Sequence, residues 1–270
     1  MRKTFYFALT TLLLVSIALP AAAQEAARKP EAKSDPKAEE VVRKAVEALG
    51  GAAYLGVRTI VSRGYFTQFR EGMQSPLQTF VDYLAFPDRE RTEFKGSDGR
   101  FVQTYTGETG WIYDGTKRLV TDVTPAQAEA FRTTMRTSYD NVLRGWWRAE
   151  GAQLSYVGRR EAGVGMRNET VRVTYPDGFA VEFEFGARDF LPAKALYRNK
   201  DVDGETVEEE DRFAQFLSLG AVRFPHVIDK YRAGTRLTRI NFDKVEMNAP
   251  VPDSLWAKPS DLKTFAKTLK

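Results

Sequence analysis

Hydrophobic positions along this chain change their period several times, and each change marks a different kind of element. Phe5 to Leu19 form an apolar run without charge, preceded by Met1-Arg2-Lys3 and closed by Pro20-Ala21-Ala22-Ala23-Gln24. That arrangement reads as a secretory signal peptide, residues 1–23, cleaved after Ala23. The run falls short of the roughly 20 residues that cross a bilayer, and no later segment is apolar and uncharged for that length. The exported chain is therefore expected to start at Gln24 and to be soluble. Residues 24–37 are too poor in apolar side chains to offset ordering entropy and read as a disordered tail.

From there the period becomes helical. Asp35 suits a cap, Pro36 suits the first helical position, and Val41, Val42, Ala45, Val46 and Leu49 recur at helical spacing up to Gly50-Gly51. After Val57 the pattern switches to short strand-like runs closed by Glu71-Gly72, Pro87-Asp88, Ser97-Asp98-Gly99, Gly107 and Asp114-Gly115. Turns this tight join antiparallel neighbours, because a parallel crossover needs a dozen or more residues.

One helix interrupts the strands. Thr124-Pro125-Ala126-Gln127 combines a cap, a first-turn proline and a Gln three residues on, which predicts a helix to about Arg148. Phe131, Met135, Tyr139, Val142, Leu143, Trp146 and Trp147 would share an arc of about 120° on it. Strands resume with Thr170 to Tyr175 and Phe179 to Phe185 around Pro176-Asp177-Gly178. Further pairs follow around Asp203-Gly204 and Ala233-Gly234, and a short helix from Ser260 closes the chain with Leu262, Phe265 and Leu269 inward. About eleven antiparallel strands with few helices predict one mainly β domain over residues 38–270, an open or half-closed barrel whose concave side seats the central helix.

Composition narrows the chemistry. The chain has no Cys, so neither a disulfide framework nor a lipid-bearing cysteine is available. Without Arg2 and Lys3, 38 basic residues face 36 acidic ones, a balance that argues against nucleic-acid binding. His226 is the sole histidine, which rules out a His-rich zinc site, and no Gly-x-Ser-x-Gly elbow accompanies it. Asp201-Val202-Asp203-Gly204 starts like a calcium loop, but Thr206 and Arg212 stand where Gly and Glu are required. Glu182 and Glu184 alternate with Phe183 and Phe185 as the outward face of a half-buried strand. No metal, no cofactor and no catalysis are expected. What remains is the aromatic content, 18 Phe, 11 Tyr and 4 Trp, enough to line a space that holds an apolar guest.

Several stretches resemble the LolA/LolB-like periplasmic lipoprotein carriers and their lipid-binding relatives. These are the signal peptide, the helix Ala38 to Leu49 with Gly50-Gly51, Phe86-Pro87-Asp88-Arg89-x-Arg91, and Tyr105 to Tyr113. Leu191-Pro192, Gly220 to Pro225 and Asn248 to Pro259 extend the likeness. The resemblance implies an open antiparallel half-barrel with helices as a lid over an apolar cavity, working in the periplasm in transport and outer-membrane biogenesis. The expected cavity and lid residues are Phe66, Phe80, Trp111, Tyr113, Phe131, Met135, Tyr139, Leu143, Trp146, Trp147, Phe183 and Phe185. Lipoprotein carriers hold the lid with an arginine directly before the proline after the second long strand. Here that place is Phe86, which makes Arg89 and Arg91 the candidate lid holders and favours a broader lipophile carrier over dedicated lipoprotein traffic. The expected partners are a lipid or acylated lipoprotein and an inner- or outer-membrane protein. The alternative is a protein-binding sensor or envelope assembly factor on the same scaffold.

Overall fold

The computed structural model describes residues 33–97, 99–200 and 203–269. The signal peptide and residues 24–32 of the expected tail lie outside them. Residues 33–37 are ordered: β1 (Lys33–Ser34) pairs in parallel with β9 (Gln153–Glu161), and helix α1 (Pro36–Leu49) starts directly behind it. Asp35 caps α1, its carboxylate accepting from Lys37 N at 2.7 Å, while its own N–H donates to the Leu154 carbonyl. Backbone pairing to a sheet edge thus orders a stretch whose composition alone would leave it loose.

Among the described residues the strands form a single sheet of fifteen, more than the eleven expected. Its first half is a meander of β2 (Thr59–Arg70), β4 (Gln78–Ala85), β5 (Arg89–Gly96), β6 (Gly99–Thr106), β7 (Thr109–Asp114) and β8 (Leu119–Asp122). A two-residue β3 (Met73–Gln74) pairs only with β2. The second half runs from β9 through β10 (Arg167–Thr174), β11 (Ala180–Gly186), β12 (Pro192–Lys200), β13 (Thr206–Leu219) and β14 (Val222–Arg232) to β15 (Thr235–Met247). β15 pairs with β2 and joins the two halves, leaving β1 and β8 as the edges of an open sheet. At that seam β15 carries a bulge between Phe242 and Lys244, and a Cβ at Gly64 would sit 1.9 Å from the Asn241 carbonyl oxygen, so only glycine fits.

The two faces of the sheet are occupied differently. α1 buries Ala38, Val41, Val42, Ala45 and Leu49 on the inner face, together with Tyr54 of α2 (Ala52–Leu55), Val171, Val181, Phe183 and Phe185. The C-terminal helix α5 (Leu262–Thr268) lies on the outer face instead, where Phe265 meets Trp111 and Tyr113 edge-on at 5.6 and 5.3 Å. No helix of the described residues is long and apolar enough to cross a membrane.

The expected long central helix is broken. α3 (Pro125–Thr137) begins with the capping box, with Thr124 and Gln127 satisfying each other's backbone N–H groups. It ends at Ser138, whose extended backbone and side chain cap a new helix, α4 (Tyr139–Arg144); Gly145 then turns the chain into a 3₁₀ segment, Trp146–Glu150. The shared 120° arc is therefore divided among three short pieces that bury different sides.

Candidate functional site

The side of β2, β4, β5 and β6 that faces inward carries three rows of cross-strand neighbours. Gly64, Phe80, Phe94 and Phe101 form an aromatic row; Ser62, Asp82, Thr92 and Gln103 a polar one; Ile60, Leu84, Glu90 and Tyr105 a mixed one. Strand alternation alone places them there, since every second residue of each strand points the same way. Phe66 and Phe94 approach to 5.2 Å, and Phe80 meets Phe242 of β15 edge-on at 5.6 Å. Phe66, Phe94 and Phe101, with Gln68, Gln78 and Gln103, line a cleft of about 460 Å³ and keep partial exposure. A second cleft of about 470 Å³ lies under α3, between Val123, Ala128, Phe131 and Met135 and the charged Asp88, Glu108 and Arg132. Tyr105 stands between the two along β6, stacked flat on Phe131 at 4.4 Å.

α3 crosses from one half of the sheet to the other. At one end Arg136 donates to Glu150 (2.6 Å) and Asp177 (2.6 Å) and covers the Tyr175 ring at 4.1 Å; further along, Phe131 rests on Tyr105. α4 is held by Arg144, which donates to Asp140 (2.7 Å) and to the Val57 and Tyr54 carbonyls (3.1 and 3.0 Å) and lies over Phe86 at 4.4 Å.

Ionisable groups occur inside. Thr92 Oγ1 donates to Asp82 at 2.7 Å and lies 3.4 Å from Glu90, so one hydroxyl touches two carboxyls. Burial, then the neighbouring Glu90 charge, pushes Asp82 well above the usual carboxylate range; burial raises Glu90 too, against the opposing charge of Lys230. Lys230 lies on β14, four strand spacings from β5, about 19 Å on a flat sheet. Glu90 and Lys230 both keep partial solvent contact.

The twelve expected site residues separate into groups. Phe66 and Phe80 lie on the open inner face; Phe131 and Met135 line the cleft under α3. Tyr139, Leu143, Trp147, Phe183 and Phe185 belong to the sealed core beneath α1 and α4, where Trp147 and Phe185 have no exposed surface. Trp146 is half-buried against Phe86 at 5.3 Å. Trp111 and Tyr113 sit on the opposite face of the sheet, under α5, and Trp111 Nε1 donates to the Trp256 carbonyl at 2.9 Å. Arg89 and Arg91 also point outward, to Asp253 and the Leu255 carbonyl, so they fasten the C-terminal segment and not a helix over the inner face. A one-residue difference in strand phase reverses the face.

Phe94, Phe101, Phe242, Asp82, Glu90 and Lys230 were not among the expected residues. Phe94 and Phe101 had a signal: they flank the Ser97–Gly99 turn symmetrically and are directly paired. The expected outward Glu182 and Glu184 are on the outer face, covered by Arg160 and Arg172. His226 Nδ1 donates to the Phe224 carbonyl, two residues away, at 3.1 Å.

No family model matches the chain, and no curated protein matches it in sequence. Solved structures do. A DUF1329 family protein from Desulfovibrio piger superposes with a TM-score of 0.58 at 14% identity, covering 82% of this chain and 97% of its own. A LolA superfamily protein from Nitrosomonas europaea, NE2245, gives 0.56 at 14% identity with the same coverage. At this identity the likeness concerns architecture, and by architecture the chain has the LolA-like open antiparallel sheet with helices on its inner face.

Proposed function

We propose that this chain is an exported, periplasmic carrier or binding protein for a lipophilic ligand, held against the inner face of the N-terminal meander with α3 as its lid. The observation that supports this most is the partly exposed ring cluster of Phe66, Phe94 and Phe101 around a cleft of about 460 Å³. Such a volume lies within the roughly 300–1,000 Å³ usual for small-molecule sites. An acyl chain gains about 0.8 kcal/mol for each methylene it buries there, so about fourteen buried methylenes give roughly 11 kcal/mol, which leaves the roughly 8 kcal/mol of a micromolar carrier after a few kcal/mol of ordering costs. The LolA-like architecture supports the same reading, since the sequence resemblance to lipoprotein carriers and the fold agree.

Organic extraction of the purified protein followed by mass spectrometry, with binding of the uncharged fluorophore diphenylhexatriene, tests it. A bound lipid and saturable binding weakened about tenfold by Phe66→Ala with Phe94→Ala are expected. A clean extract with no probe binding would favour the rival, a protein-binding sensor or assembly factor on this scaffold.

A further inference from the structure

We infer that the turn between β9 and β10, with the cleft beside it, is a docking surface for an anionic membrane, Val164 being the inserted tip and a collar of cations its electrostatic hold. It lies outside the lipophile cleft and goes beyond that reading.

The turn holds an apolar side chain out in solvent. Gly163 and Gly165 adopt φ of 121° and 71°, a region that glycine enters freely. Ala162 N donates to the Met166 carbonyl and Met166 N to the Gly163 carbonyl, both at 3.0 Å. Closed in this way, the turn leaves Val164 wholly exposed at its apex and Met166 57% exposed. Turn chemistry does not call for an apolar residue there, since Asn, Asp, Ser and Gly are the residues that serve turns. Met166 also lines a cleft of about 370 Å³ whose further apolar walls include Leu191, Pro192, Phe213 and Phe216. The turn is joined to the far wall of that cleft: Ala187 N donates to the Arg167 carbonyl at 2.9 Å, and Arg188 reaches the Gly165 carbonyl at 3.5 Å. Apex and cleft thus form one continuous apolar surface and not scattered single side chains.

The surrounding charge selects the partner. Arg167, Arg188 and Lys194 line the cleft with a single acid, Asp189, one of whose oxygens already accepts from Leu191 N at 3.1 Å. Arg159 and Arg160, just before the turn, are paired, but their partners are recessed. The Arg159 side chain is 57% exposed against 3% for Glu169, and that of Arg160 35% against 11% and 5% for Glu182 and Glu184. Lys194 stands outside Glu210 in the same manner. Five cations therefore reach the surface against two exposed acids, Glu161 and Asp189, so an approaching body meets positive charge. An apolar tip ringed by cations suits a bilayer, whose headgroup boundary accepts the tip while anionic headgroups meet the collar. A small molecule could fill the cleft but would leave the apex uncovered, because Val164 stands outside it. β9 and β6 run in the same direction along the sheet, which puts the turn at the same end as Gly107 and Glu108, on the border of the cleft under α3. Docking brings that end of the molecule to the membrane.

The chain has no cysteine, so one introduced cysteine reports on one place. Val164→Cys, labelled with nitrobenzoxadiazole in the chain from Gln24 onward, is mixed with phosphatidylcholine vesicles holding about 30% phosphatidylglycerol or none. A blue shift with the anionic vesicles and none with the neutral ones is expected. The same label on Met73→Cys, 70% exposed at the opposite end of the sheet, should stay unshifted. In flotation of the unlabelled protein, Val164→Ser with Met166→Ser should weaken vesicle binding at least about tenfold, and Arg167→Gln with Arg188→Gln by a similar factor. Raising salt from about 50 to about 500 mM should also weaken it. All four positions are exposed, and circular dichroism with a thermal melt verifies that each variant is folded. Equal shifts at Met73 and Val164, equal binding to neutral vesicles, or flotation that survives both double substitutions would each overturn the docking surface. Absence of vesicle binding by the native protein would overturn it too and leave the turn to a protein partner. None of these outcomes bears on diphenylhexatriene binding at the Phe66 cleft.

Discussion

The two halves of the sheet offer their inner faces to different neighbours. In β10 to β12 the inward positions Val171, Val173, Val181, Phe183, Phe185 and Ala195 are apolar, Glu169 at the start of β10 is satisfied by Tyr156 and Arg159, and α1, α4 and Trp147 close over them. In β2 to β6 the inward positions mix Phe80, Phe94 and Phe101 with Ser62, Asp82, Thr92 and Glu90, and several remain partly exposed. One half is the core that holds the molecule together; the other has the composition of a surface that meets something else. An aromatic side chain is therefore no guide to a site until its strand and its phase are known.

The sharpest way to break this comparison is to place a charge on each side of it. Leu143→Glu puts an unpaired carboxylate into the sealed core at a residue 5% exposed, and should destabilise by several kcal/mol, enough to abolish a cooperative melt. Met135→Glu places the same group in the partly exposed cleft under α3, where water can solvate it, and should leave the melting temperature within a few degrees of the native value. Thermal denaturation of the two variants side by side decides whether the halves differ as described.

Next in size is Arg144→Ala. The guanidinium is nearly buried, and its loss strands Asp140 and three backbone carbonyls of the α2 region; breaking a buried ion pair on one side typically costs about 3–5 kcal/mol. Urea unfolding should show the loss, whereas Arg89→Ala, at an exposed pair with Asp253, should change stability by less than about 1 kcal/mol.

A smaller, pH-dependent effect sharpens the picture of the inner patch. Asp82 has its folded pKa raised above the ordinary 3.8 by burial and by Glu90. A raised acid contributes its full stability below the unfolded value, where both states hold the proton, and loses it as pH climbs through the folded value. Asp82→Asn, which cannot ionise, should therefore raise the melting temperature near pH 7 and leave it unchanged near pH 3. Melts across that range check the sign; a variant less stable near pH 7 would show that Asp82 is ionised and well compensated in the fold.

Much of the architecture was legible in the chain. The Thr124 capping box, the Asp35 and Pro36 start of α1 and the Pro176-Asp177-Gly178 hairpin are local signals, and each stands where local chemistry puts it. What was not legible depends on distant partners. β4 reads Phe80-Val81-Asp82-Tyr83-Leu84, apolar on both faces, so its own pattern does not set its phase, which comes from its pairing with β2 and β5. The break at Ser138 was hidden because Ser is a tolerable interior helix residue; only its extended backbone and its bond from Asp140 N make it a cap.

On this reading the inner face of the first meander holds a lipophile while the second half does not. Diphenylhexatriene titration of native protein and of the Phe66→Ala, Phe94→Ala double variant, with folding verified by circular dichroism, measures this directly. Saturable binding that falls about tenfold in the folded variant is the predicted result. Undiminished binding by that variant would contradict it.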